Sequence, residues 1–145
     1  VVVVLAHIGG QFSSHPGEYQ KIVINDFIKS GANLVICNHN HAPIEITERL
    51  DNSGEVESVI AYGLGDFCYR PIIGFENSKC QSDYSVVLHC DFDVETKRII
   101  ALDYDICRSV PNEHGVYVVK CCDKTNQTDE NLQAVIRRVS YGNCK

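Results

Sequence analysis

The chain has 145 residues, 44% of them hydrophobic, about one domain's worth of sequence with enough apolar matter to bury a core. Its formal net charge of -6 is carried by acidic residues scattered along the chain rather than blocked, which argues against nucleic acid or an anionic membrane surface as a partner held by bulk charge. The apolar opening at residues 1–5 is far too short to span a bilayer and lacks the flank and cleavage site of a secretory leader, so no membrane or targeting segment is read; with no methionine in the chain, the expectation is a fragment, which leaves localisation open.

Residues 1–6 read as a strand that stops at His7, followed by Gly9 and Gly10. Beyond Pro16 and Gly17, apolar Ile22, Ile24, Phe27 and Ile28 alternate with polar residues at helical spacing, and Ser30, Gly31 and Ala32 mark the stop. A second apolar run at 34–37 ends at Asn38, His39, Asn40 and His41. Strand, crossover helix and strand of this length make a right-handed parallel pair, which sets both carboxyl ends on one edge. His7, His39 and His41 are therefore expected to share that edge, where open α/β sheets collect their ligands.

Residues 44–50 and 56–62 flank the turn Asp51, Asn52, Ser53, Gly54 and predict a hairpin. The tight segment Gly63, Leu64, Gly65 then delivers Asp66 and Phe67, while residues 70–82 carry mixed loop signals that suggest mobility. The second half is strand-rich, with paired runs at 85–93 and 98–107 around a turn at 94–97 and a further run at 116–122. Leu132, Val135, Ile136 and Val139 at helical spacing predict a terminal helix over 129–139, capped by Thr128 or Asp129.

Eight cysteines are dispersed with no C-x-x-C pair, so the zinc-knuckle pattern is absent and most read as small apolar residues, which favours a reducing compartment. Cys121 and Cys122 are adjacent and on a strand face opposite ways. The His39-Asn40-His41 pattern allows two imidazoles to reach one ion, and Asp66 is the best acidic candidate to join them. His89 reads as a sheet-face residue, and His15 and His114 as solvent-facing loop residues.

These blocks, in this order, resemble the poly-gamma-glutamate capsule synthesis family of the CapA type, over roughly residues 1–105. The run from Ala6 to Phe12 with Pro16 and Gln20 is similar to the family's apolar strand into His-Trp-Gly-x-Glu-Tyr. Ser30 to Asn33 resembles its Ala-Gly-Ala-Asp turn, Val35 to His41 its Val-Ile-Gly-x-His-Pro-His, and Tyr62 to Phe67 its Tyr-Ser-Leu-Gly-Asn-Phe. The resemblance implies an α/β fold: the C-terminal half of a calcineurin-like, metallophosphoesterase-like two-sheet sandwich flanked by helices, forming a single partial domain over 1–145.

It further implies a bacterial protein of capsule or cell-surface polymer biosynthesis with a metal-dependent hydrolase site. His7, His39 and His41 would be metal ligands to a divalent Mn, Zn or Fe ion, with Asp66 added as the acidic ligand read from the chain itself, and His7 and His41 would be catalytic groups. The substrate would be an anionic polymer or a phosphoester, and the missing N-terminal half of the domain would supply the other ligands; alone, these histidines are expected to bind metal weakly. Against the family pattern Ile8, Gln11, Cys37, Asn40 and Asp66 are departures, and the alternative they leave open is a non-catalytic polymer-binding or assembly module on the same fold.

Overall fold

Residues 1–68 and 80–140 are described in the computed structural model of the chain, so the loop expected at 70–82 lies outside the described residues except for 80–82. Strand β1 (Val3–Ala6), helix α1 (Glu18–Lys29) and strand β2 (Leu34–Cys37) form the expected crossover unit. The strands are parallel neighbours, with Val3 opposite Leu34 and Ala6 opposite Cys37. Gly31, at φ 95, turns the chain from helix to strand in the left-handed region that glycine enters without a Cβ clash.

Strands β3 (Ile46–Leu50) and β4 (Val56–Ala61) make the hairpin, closed by Asp51, whose Oδ1 accepts from the N–H groups of Ser53 and Glu55. Because β4 also pairs in parallel with β2, the sheet runs β1-β2-β4-β3, with β1 on its edge. A second, antiparallel sheet is the meander of β5 (Tyr84–Asp93), β6 (Arg98–Pro111) and β7 (Tyr117–Cys121). Strand β6 outruns its expected end at residue 107 because, beyond its β5 partners at Arg98 to Arg108, it pairs with β7 from Cys107 to Pro111. Helix α2 (Glu130–Ser140) is capped by Asp129, whose Oδ1 accepts from the Leu132 N–H at 2.9 Å.

The chain is thus mixed α/β, with two sheets and two helices among the described residues. Its main core joins Leu34, Val59 and Ala61 of the first sheet to Tyr84, Val86 and Ile106 of the second. Leu132, Val135 and Val139 of α2 belong to this same cluster, so one face of α2 packs against the main core. Helix α1 covers the opposite face of the first sheet, where Ile24, Phe27 and Ile28 meet Val35, Cys37 and Ile60.

The phase of α1 differs from the apolar count in one respect: Ile22 is 60% exposed and Gln20 is buried. Gln20 lies one turn before Ile24 on the buried face, whereas Ile22 points away from both. The Gln20 amide donates to the carbonyl of Tyr62 at 2.8 Å and to that of Ile8 at 3.4 Å, which secures the backbone on either side of the histidine loops.

Candidate functional site

The parallel pairing of β1 and β2 carries both strand ends to one edge, and the histidines follow from it. Nε2 of His7 and Nδ1 of His39 stand 2.9 Å apart, with the rings edge to face at 4.6 Å between centroids. The His41 ring lies beside them, its centroid 6.2 Å from that of His39. Its Nδ1 is 2.8 Å from Oδ2 of Asp66, and Phe12 stacks on the ring at 5.1 Å. All four residues singled out in the sequence are therefore neighbours, though as two pairs, His7 with His39 and His41 with Asp66.

Local backbone geometry explains the second pair. His41 adopts φ 60, a left-handed conformation rare outside glycine, and the loop before it is fixed by Asn40. Asn40 is 1% exposed; its Oδ1 accepts from the Ser13 N–H, and its Nδ2 donates to the carbonyls of Ser13 and Ala42. The Asn40 carbonyl in turn accepts from the Phe12 N–H at 2.8 Å. On the other side, Gly65 at φ 75 threads a space in which a Cβ would stand 2.6 Å from the Tyr84 carbonyl oxygen, and this tight passage delivers Asp66 to His41.

Sequence reading missed Asn40, Gln20 and Phe12 as members of this assembly. Asn40 shows in the sequence only as a departure from a proline, and its burial arises from contacts across 27 positions in the chain. Gln20 was visible as a matched motif residue but not as a buried one. His89, exposed on β5, bonds Asp105 of β6 and lies in the other sheet. His15 and His114 are exposed, as expected.

The imidazole pair bears on whether an ion fits. Two nitrogens bound tetrahedrally to one ion at about 2.0–2.1 Å stand roughly 3.3 Å apart, so the His7 and His39 atoms, at hydrogen-bond distance from each other, would need to part by a few tenths of an ångström to share an ion. His41 differs: Asp66 holds one of its ring nitrogens, the arrangement by which carboxylates orient metal-binding imidazoles. Among the described residues, however, no group of three or more His, Cys, Asp or Glu side chains is arranged to hold a metal ion. The described residues therefore offer at most two neighbouring imidazole donors to one ion.

Beside His7 lies a largely apolar pocket of about 310 Å³, lined by Leu5, Ala6, Ile36, Asn38 and Leu64. Leu5, on edge strand β1 and on the face of the sheet opposite α1, is 77% exposed. Residues 1–70 match the family model described as bacterial capsule synthesis protein PGA_cap. That segment is similar to this family. The matched segment holds β1 to β4, His7, His39, His41 and Asp66, together with the four sequence blocks; the meander and α2 lie beyond it. No curated protein matches the chain.

Proposed function

We propose that the chain carries part of a divalent metal centre in a protein of capsule or cell-surface polymer biosynthesis, on a metallophosphoesterase-like sandwich completed by polypeptide outside this chain. The observation that carries the reading is the 2.9 Å approach of His7 Nε2 and His39 Nδ1 at the carboxyl ends of two parallel strands. These are the donors that would hold a Mn, Zn or Fe ion. When bound, such an ion neutralises charge and activates water at a phosphoester or carbonyl.

The chain's own residues supply orientation and proton traffic. Asp66 engages His41 at Nδ1, which leaves Nε2 as the atom to complete the ligand set or to give a proton to a leaving oxygen. Phe12, stacked on the same ring, keeps it from rotating. Among the described residues β1 is an edge strand with Val3 and Leu5 exposed beside His7, which supports the arrival of further polypeptide there.

The test is metal content and phosphodiesterase activity of the parent protein and its variants. His39→Ala is expected to lose both metal and activity, and His41→Ala to lose activity while keeping part of the metal. Wild-type metal content and activity in His39→Ala would overturn the proposal. Retained polymer binding by a protein without hydrolytic activity would identify the assembly module instead.

A further inference from the structure

Strands β6 and β7 place Cys107 directly opposite Cys121, and the two sulfurs are 3.6 Å apart. The ladder around them defines the kind of pair this is. Cys122 donates its N–H to the Ile106 carbonyl and Asn112 donates to the Val116 carbonyl, which fixes the bonded positions of the ladder. Alternation then makes Cys107 and Cys121 a non-hydrogen-bonded pair, the position where opposing Cα atoms are nearest, at about 4.5 Å. It also puts Pro111, with no N–H to donate, at another non-bonded position opposite Tyr117. A Cα separation near 4.5 Å lies within the range of about 4.4–6.8 Å that a disulfide spans.

We propose that Cys107 and Cys121 are an oxidation site, a thiol pair that closes into a cross-strand disulfide on exposure to a low-molecular-weight disulfide. Cys121 is exposed and Cys107 is 2% exposed, which sets the order of events. The Cys121 thiolate attacks one sulfur of the small disulfide, forming a mixed disulfide and releasing one small thiol. Cys107 then gives its proton to solvent and displaces the second small thiol from Cys121. Two protein thiols are oxidised to one disulfide, and the small disulfide is reduced to two thiols. Cys122 does not compete, because its side chain faces the other way and packs against the main core.

The product would tie edge strand β7 to β6 just ahead of the connection into α2. Incubation of the full chain with oxidised glutathione, followed by non-reducing tryptic mass mapping, tests this. The expected result is a linked species joining peptides 99–108 and 121–124, reversed by dithiothreitol, with the thiol titre lower by one pair. The bridge should persist in Cys122→Ser and disappear in Cys121→Ser. A glutathione adduct on Cys121 with no linked peptide, or a bridge that survives Cys121→Ser, would overturn the assignment.

Discussion

Asn40 and Ser13 exchange two hydrogen bonds, from the Ser13 N–H to Asn40 Oδ1 at 2.9 Å and from Asn40 Nδ2 to the Ser13 carbonyl at 2.7 Å. A side-chain amide here does the work of a backbone bridge between the loop after β1 and the loop after β2. The histidines of the candidate site sit on those two loops, so their mutual position depends on a residue that is not itself a ligand candidate.

Asn40→Ala is expected to destabilise the chain by about 2 kcal/mol, because it removes a buried amide and leaves the part-buried Ser13 N–H and carbonyl without that partner. Urea denaturation should show a lower midpoint with little change in slope. An unchanged midpoint would mean that water replaces the amide.

Gly65→Ala should cost about 2–4 kcal/mol, from the left-handed backbone and from the crowding of a Cβ against the Tyr84 carbonyl. The loss should register as a lower melting temperature. Gly54→Ala is the control: it shares a positive φ of 85 but meets nothing within 4 Å, so its loss should be the smaller of the two.

Asp66→Asn tests the outer carboxylate. If the centre forms as proposed, loss of the charge beside His41 should weaken metal binding by roughly 10–100-fold, measured by calorimetric titration of Zn²⁺ into the parent protein. Loss of all binding would make Asp66 a direct ligand; no change would separate it from the ion altogether.

Thiol reactivity and stability should share one pH window. Burial, followed by the neighbouring Cys121 thiol, pushes the Cys107 thiol up to about 11. Between the unfolded thiol value of about 8.5 and that figure, the folded state holds a proton that the unfolded state has lost. The contribution is therefore full below the unfolded value and lost as pH rises through about 11. Cys107→Ala should remove that part of the alkaline loss of stability, and iodoacetamide at neutral pH should label exposed Cys121 well before Cys107.

Periodicity and turn chemistry were enough to locate the elements, since apolar runs of period two or near 3.6 and the stops at Gly31 and Gly54 are local signals. The shared edge of His7 and His39 was also legible, because the handedness of a crossover leaves one arrangement for two parallel strands. Tertiary structure alone decided the rest. Burial of Gln20 and Asn40 depends on which helix face and which loop meet the sheet; the division of the site into His7 with His39 and His41 with Asp66 depends on rotamers and on a passage that Gly65 must fit. Cys107 meets Cys121 only through the β6–β7 register, which a chain without that pairing does not define. What was local in the chain could be read from it, and what required two distant segments to pack could not, because packing is settled by the whole core at once.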